Sequence, residues 1–300
     1  MRNLKKYFKY YFLGALFCGA VFAWYAVAAE SRTGLEVDFL DVGQGDAIFI
    51  QAPNGNQVLL DGGPPNRAVL RQLSKVMPFY DRSIDALILS HPHLDHYGGL
   101  IDLMGKYKIN LEMDSGNYSK LKNDSATAKD NLFSLSGLNE YQQAIKTNNI
   151  KHLLAKRGMR INLDRDLFVD ILLPVINNNL SLSPHDGMVV ARLVYKNNSF
   201  LLTGDMENNL ENFLLSLGEN VKSNVLKVGH HGSRTSTSER FLGLVEPEYG
   251  VISVGRKNKY GHPHQEVTER LGRFKIPILR TDERGTIRIR SDGEKIFILE

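Results

Sequence analysis

From Leu35 to the C-terminus, short apolar runs alternate with polar turns containing glycine or proline, a rhythm of strands more than of long helices. Strands are predicted over Leu35–Leu40, Ala47–Ile50 and Gln57–Leu60, the last two paired around the turn Pro53-Asn54-Gly55. Asn66–Met77 has the apolar spacing of an amphipathic helix. Ile84–Ser90 returns to a buried strand and Leu100–Tyr107 to a helix. The stretch from Met113 to Leu138 is polar and weakly patterned, which predicts a loop or lid, followed by a helix around Asn139–Lys146. The second half repeats the order. Strands within Ile161–Leu173 lead through an Asn-rich connection, Ile176 to Leu182, to a half-buried strand after Gly187 and another at Ser199–Leu202. A helix over Glu207–Leu217, strands at Asn224–Val228 and Tyr249–Ser253, a helix over Gln265–Phe274 and a turn between strands in TDERGTIRIR complete the chain. Strands then helices, twice over, predict an α+β fold: two facing sheets with helices on their outer faces, an αββα sandwich.

The N-terminal pattern differs. Residues 1–9 are a basic stretch carrying Arg2, Lys5, Lys6 and Lys9, and no charge follows between Tyr10 and Ala29. An apolar run of about 20 residues crosses a bilayer core as one helix. Residues 10–29 are therefore expected to be a transmembrane anchor or, with Ala26-Val27-Ala28 as the cleavage site, a signal peptide. Trp24 and Tyr25 favour the anchor, as interfacial aromatics do, and Phe17 before Cys18 argues against lipoprotein processing. Either alternative keeps the basic end cytoplasmic and puts the body, residues 35–300, outside: at the cell membrane as an extracytoplasmic domain, or secreted after cleavage.

Charge and cysteine content narrow the chemistry. The chain has 37 basic and 33 acidic residues, and the four basic residues before Glu30 leave 33 of each sign in the remainder. A body so balanced is not a bulk nucleic-acid binder. Arg256-Lys257-Asn258-Lys259 and Arg284, Arg288 and Arg290 read as solvated faces ahead of phosphate tracks. Cys18, the single cysteine, lies in the N-terminal apolar run, so the body has no disulfide, thiolate ligand or cysteine nucleophile.

The chemistry concentrates in LILSHPHLDHYGGL, residues 87–100. A buried strand ends there in His91, His93, Asp95 and His96, and a loop at a strand end can aim the first two at one point and the last two at another. Such nitrogen and oxygen donors suit zinc or a similar divalent ion. Gly98-Gly99 is expected to let the chain enter the following helix. His185, Asp205 and His231 each lie in a loop at a predicted strand end, where further ligands belong. Asp61, at a strand end before two glycines, is either a turn former or a carboxylate that orients a ligand imidazole. His230 and His231 are adjacent and point apart, so one coordinates and the other faces substrate; spacing does not say which. Gly232-Ser233 would let a phosphate approach the backbone. His264 reads as structural or solvated, and His152 has no partner in the sequence.

HxHxDH after a strand resembles the signature of the metallo-β-lactamase superfamily. FLDVGQGDA, LLDGG, TGD, HHGS and Gly261-His262-Pro263, in that order, narrow the resemblance to the hydrolase domain of the ComEC family of DNA-uptake channel proteins, over roughly Leu35 to the C-terminus. The resemblance implies the metallo-β-lactamase sandwich for the body. It also implies a binuclear centre of two divalent ions, zinc by ligand type with manganese as the alternative. His91, His93 and His185 would hold one ion, Asp95, His96 and His231 the other, and Asp205 would bridge. Asp61 would hold the metal loop, His230 would act on the substrate side, and His262 would stand on the rim. A histidine before the strand that follows His185 matches the binuclear members, phosphorylcholine esterases included, although ComEC relatives often have an Asn- and Ser-containing stretch there.

The implied activity is metal-dependent phosphodiester hydrolysis, with DNA or another nucleic acid as substrate and Asp95 and His230 as catalytic residues. One rival is hydrolysis of another ester: phosphorylcholine, a cell-wall phosphodiester or a lactone. A second is a membrane-tethered DNA-binding accessory with little turnover, against which an intact ligand set argues. The chain carries one apolar segment and cannot itself form a multi-span channel.

Overall fold

A computed structural model describes residues 2–29, 34–116, 128–175 and 187–299, with side chains described from residue 7 to 25 and, in the helix that follows residue 127, from residue 136. The chain divides into two units, Met1–Thr33 and Gly34–Glu300. The first is one helix, α1 (Arg2–Ala29), whose described side chains are exposed. Among the described residues no helix is long and apolar enough to cross a membrane. The expected transmembrane or signal segment, residues 10–29, is helical along its length, and its side chains past residue 25 lie outside the described ones.

The second unit has the two expected sheets. The first is built from β1 (Leu35–Phe39), β2 (Ile48–Gln51), β3 (Gln57–Leu60), β4 (Ser83–Ile88), β5 (Lys108–Asp114) and β6 (Lys151–Leu154). The second contains β7 (Arg160–Asp164), β8 (Leu167–Leu173), β9 (Val190–Tyr195), β10 (Asn198–Leu202), β11 (Val225–Lys227), β12 (Tyr249–Ile252) and β13 (Ile278–Arg280). The chain then returns to the first sheet with β14 (Ile287–Ser291) and β15 (Ile296–Leu299). The strand orders are β15-β14-β1-β2-β3-β4-β5-β6 and β13-β12-β11-β10-β9-β8-β7. In both sheets the strands that deliver the candidate ligands, β4 and β11, run parallel to a neighbour on each side. Parallel strands buried on both faces read as unbroken apolar runs, which is why LILS and VLKV carry no alternation.

Three buried clusters follow from this layering. Val37, Phe39, Ile50 and Ile88 meet Val169, Leu193, Phe200 and Val251 between the sheets. Helices α2 (Ala68–Val76), α3 (Leu94–Met104) and α4 (Ala128–Thr147) cover the first sheet through Val69, Leu73, Leu100, Leu103 and Tyr141. On the second sheet, α5 (Asn208–Ser216), α6 (Glu239–Val245) and α7 (Gln265–Arg273) do the same with Leu210, Leu214, Phe241, Leu242, Val267 and Leu271. A short helix, α8 (Thr281–Arg284), occupies the turn expected before β14. The main departures from the sequence pattern are β5, β6 and α6. Lys108–Asp114 and Lys151–Leu154 carry polar residues because β6 is an edge strand, three of whose four positions are exposed, and β5 lies beside it.

Candidate metal centre

The described candidate ligands follow the ends of β4, β10 and β11. β4 ends at Ile88 and passes Ser90 and His91 into a tight turn, in which the His93 N–H donates to the His91 carbonyl oxygen at 2.9 Å. α3 begins at Leu94, so Asp95 and His96 lie in its first turn and not in the expected loop. Gly98 and Gly99 are inside that helix and serve close approach. A Cβ at Gly98 would come within 2.6 Å of Pro65 Cδ, and one at Gly99 would collide with the Gly62 carbonyl oxygen. The helix thus presses on the turn after β3, where the Gly62 N–H donates to the His96 carbonyl oxygen at 2.7 Å. β10 delivers Asp205 and β11 delivers His230 and His231. Both histidines have left-handed backbone, φ 45° and 54°. Such a conformation costs on the order of 1–3 kcal/mol per residue and persists only where its surroundings enforce it, commonly at functional sites.

Asp205 lies at the centre. Its Oδ2 is 3.7 Å from His91 Nε2 and 3.4 Å from His96 Nε2, and its Oδ1 is 3.5 Å from His231 Nε2. His93 Nδ1 is 3.0 Å from His91 Nε2. Asp95 is 4.0 Å from His96 Nε2 through one oxygen and 3.6 Å from His231 Nε2 through the other. Two groups result, His91–His93–Asp205 and Asp95–His96–His231, each with its ligand atoms within 4.8 Å of one another. Donors around a tetrahedral ion with bonds of ~2.0–2.2 Å lie roughly 3.3–3.6 Å apart, close to the spacings found. His185 falls among residues 176–186, outside the described residues.

Neighbouring groups fix the rings. Asp61 accepts from the Ser90 N–H at 2.7 Å and the Ser90 hydroxyl at 2.6 Å, and its Oδ2 is 2.9 Å from His96 Nδ1. His231 Nδ1 donates to the Ser253 carbonyl oxygen at 2.8 Å. With both Nδ1 atoms engaged, the Nε2 lone pairs face the cluster. His96 Nε2, His231 Nε2 and Asp205 Oδ1 are buried and have no hydrogen-bond partner among the described residues. Unpaired buried polar atoms are costly, and these three belong to the same cluster of imidazole and carboxylate donors. The set fits a pair of divalent cations.

The sequence model of the metallo-beta-lactamase superfamily matches residues 40–256, a span that contains the whole cluster. The chain belongs to that superfamily. It is related to ComE operon protein 3 of Bacillus subtilis (strain 168), with 33% identity over 294 residues covering 92% of this chain and 35% of that protein. It is also related to Competence protein ComA of Neisseria gonorrhoeae, at 29% identity covering 89% of this chain and 34% of that one. The chain thus spans about a third of the length of these curated relatives. The metallo-beta-lactamase fold protein YhfI of Bacillus subtilis shares the fold at TM-score 0.50 and 11% identity, covering 89% of this chain and 100% of that one.

Charge balance in this metallo-β-lactamase centre favours ionised carboxylates. Burial opposes ionisation of Asp95, yet the His96 and His231 rings outweigh it and bring the carboxyl down to about 2. Burial likewise opposes the charge on Asp205, and His231 and His96 hold its carboxyl well below the usual range. His262 behaves oppositely. Burial, then the nearby His231, His230 and His264 rings, push it down to about 4, so it is neutral at physiological pH. Its ring centroid lies 5.6 Å from that of His230 and 6.3 Å from that of His231, at the rim.

His230 is partly exposed, with Nε2 3.7 Å from Asp205 Oδ2 and Nδ1 3.0 Å from Glu207 Oε1. The Thr235 hydroxyl donates to the same Glu207 oxygen at 2.7 Å, and Ser233 Oγ lies 2.9 Å from Thr235 Oγ1. Ser233, expected either to support a site residue or to stand beside the substrate, is buried, and its hydroxyl joins the chain of groups that reaches His230.

Three participants escaped the sequence. Asp46 and Lys227 are fully buried and paired, Nζ to Oδ2 2.5 Å, with Asp46 Oδ1 3.5 Å from His231 Nδ1. The signal was present: a lysine in the otherwise apolar run VLKV must have a partner. Glu207 carried none beyond its position after TGDM. His152, without a partner in the sequence, has two in space. Its Nε2 is 3.0 Å from Asp114 Oδ2 and 3.5 Å from Glu112 Oε2, and Tyr141 donates to Glu112 Oε1 at 2.7 Å. Burial and the neighbouring Asp114 charge push Glu112 up to about 9.

Proposed function

We propose that this chain is a metal-dependent phosphodiesterase acting on nucleic acid, with one ion held by His91, His93 and Asp205 and a second by Asp95, His96, His231 and Asp205. The observation that carries the reading is the pair of His/Asp groups meeting at one buried carboxylate, Asp205, with the Nε2 atoms of His96 and His231 turned into the cluster and without a hydrogen-bond partner among the described residues. His185 is the further ligand for the first ion. Zinc is the ion by donor type, and manganese is compatible with the carboxylate share. Two such ions polarise a phosphoryl oxygen and activate water at neutral pH.

The remaining work falls to side chains. With ions bound, Asp61 and the Ser253 carbonyl would hold His96 and His231 as neutral rings through Nδ1, leaving Nε2 to coordinate. His230, braced by Glu207 through Nδ1, is the side chain placed to act as general acid toward the departing oxygen. Neutral His262 stands beside it and adds no further charge to the leaving group's surroundings. Relatedness to a competence protein supports nucleic acid as the substrate. The uncharged residues 10–29 support a membrane tether with the hydrolase domain outside the cytoplasm, secretion after cleavage being the alternative.

The test is metal analysis of the purified chain coupled to hydrolysis of bis-p-nitrophenyl phosphate and of oligonucleotides. Two divalent ions per chain and metal-dependent cleavage are expected, with Asp95→Asn nearly inactive. Metal-loaded protein that leaves all these phosphodiesters intact would refute the reading and favour a lactone or other ester.

A further inference from the structure

A cleft of about 400 Å³ opens directly beside Asp95. Its lining combines apolar Pro64, Pro65 and Leu94 with Lys257, Lys259 and Tyr260. All three of the latter are exposed, Tyr260 at 53%. The loop that bears them is nonetheless built to hold one shape. Asn258 donates to the carbonyl oxygens of Gly255 at 2.9 Å and His262 at 2.7 Å, and its Oδ1 accepts from the N–H groups of Tyr260 at 3.2 Å and His262 at 2.9 Å. The Gly255 N–H donates to Gln44 Oε1 at 3.2 Å, and a Cβ at Gly255 would lie 2.7 Å from the Gln44 nitrogen. Gly45 in turn packs so closely on Asp95 that a Cβ there would collide with the Asp95 carbonyl oxygen. The basic loop is thereby clasped, through residues 44–45, to a residue of the metal cluster.

Aromatic rings lead inward from this loop. Tyr260 and His262 are stacked, centroids 5.7 Å apart at 24°, and His262 lies 5.6 Å from His230. Lys259 Nζ is 5.3 Å from the Tyr260 ring centre. Cationic side chains beside an exposed ring, in a cleft that also has apolar lining, are the elements with which proteins hold unpaired bases and their phosphates. We infer that this cleft is the binding site for a single-stranded nucleic acid, with a base on Tyr260 and the flanking phosphates on Lys257 and Lys259, which places the adjoining phosphodiester at Asp95. The inference rests on the phosphodiesterase reading for its last clause only. A strand is required because a paired base inside a duplex has no face free for Tyr260. Arg256, Lys257 and Lys259 are exposed, as expected of a solvated face, and the inference gives that face a ligand.

The test uses the full chain in chelator, so that binding is measured without turnover, with a fluorescein-labelled oligodeoxythymidylate and an abasic strand of equal length. Wild type is expected to bind the base-bearing strand more tightly. Tyr260→Ala should weaken that binding roughly 5- to 150-fold, the equivalent of about 1–3 kcal/mol per stacked base, and remove the preference over the abasic strand. Lys257→Ala/Lys259→Ala should weaken both strands and flatten the dependence of log K on log salt by about 1.4, at roughly 0.7 per phosphate contact on a single strand. Equal affinity of wild type for both strands, or a Tyr260→Ala variant that keeps the preference, overturns the assignment. So does competition by poly(glycerol phosphate) as strong as by the oligonucleotide, which would make the cleft a site for a cell-wall polymer. Hydrolysis of bis-p-nitrophenyl phosphate by wild type is scored separately. Its absence refutes the phosphodiesterase reading and leaves the binding result to decide the cleft.

Discussion

Lys227 is the sharpest test of how the centre is held. Its ammonium lies 2.5 Å from Asp46 Oδ2 and 3.8 Å from Asp205 Oδ1, and donates to the Gly204 carbonyl oxygen at 2.8 Å. Lys227→Met keeps the aliphatic stem and deletes the charge. Asp46 is then left beside Asp205 and Asp61 with no ammonium, and Gly204 loses its donor. Breaking a buried pair from one side costs about 3–5 kcal/mol, whereas replacing both partners with apolar groups is often neutral. At about 2–4 °C per kcal/mol for a domain of this size, the single variant should melt roughly 10 °C below wild type. Lys227→Met/Asp46→Leu should recover most of that loss. Circular-dichroism melts in chelator read the effect without a contribution from bound metal. A single variant that melts within a degree or two of wild type refutes the reasoning, as does a double variant less stable than the single.

Asp61→Ala should lower zinc affinity by about 10–100-fold, as loss of a group that orients a ligand imidazole does; competition with a chromophoric chelator measures it, and unchanged affinity would detach Asp61 from the centre. His230→Ala should keep both ions while kcat falls by roughly 10²–10⁴, and loss of an ion would instead make His230 a ligand. For Glu112 the ordinary carboxyl value is 4.5 and the folded value about 9, so the unfolded chain ionises first and the folded form loses stability as pH rises through that window. Glu112→Gln removes this loss: its melting point relative to wild type should climb between about pH 5 and 9, and a constant difference would refute the assignment.

The first-sheet metal loop was legible because His91, His93, Asp95 and His96 are local in sequence, and so were most strands, whose apolar runs reflect burial on both faces. What the sequence hid came from contacts between distant segments. Asp95 and His96 belong to a helix that starts early because Gly98 and Gly99 admit the turn after β3. β5 lies mostly between the expected helix ending at Tyr107 and the polar stretch starting at Met113, because its residues alternate polar and apolar beside an edge strand, and the partners of His152 are hidden with it. Ser233 follows a histidine pair, which in sequence suits a supporting role and a substrate contact equally. Only the folded backbone turns its hydroxyl towards Thr235.

The pairing of β1 with β14 has a consequence for assembly. Arg290 and Glu36 meet at 2.7 Å across that ladder although 254 positions separate them. Closing a loop of that length costs about 5 kcal/mol in chain entropy, and strand β1 has a bare edge until Ile287–Ser291 is available. A chain threaded N-terminus first through a ribosome or a membrane therefore waits, with its first hairpin formed and one edge open to wrong partners. The last strands work as a clasp: cutting before Ile287 would leave the ligands in place along the chain but the sheet that carries His91 to His96 without its border.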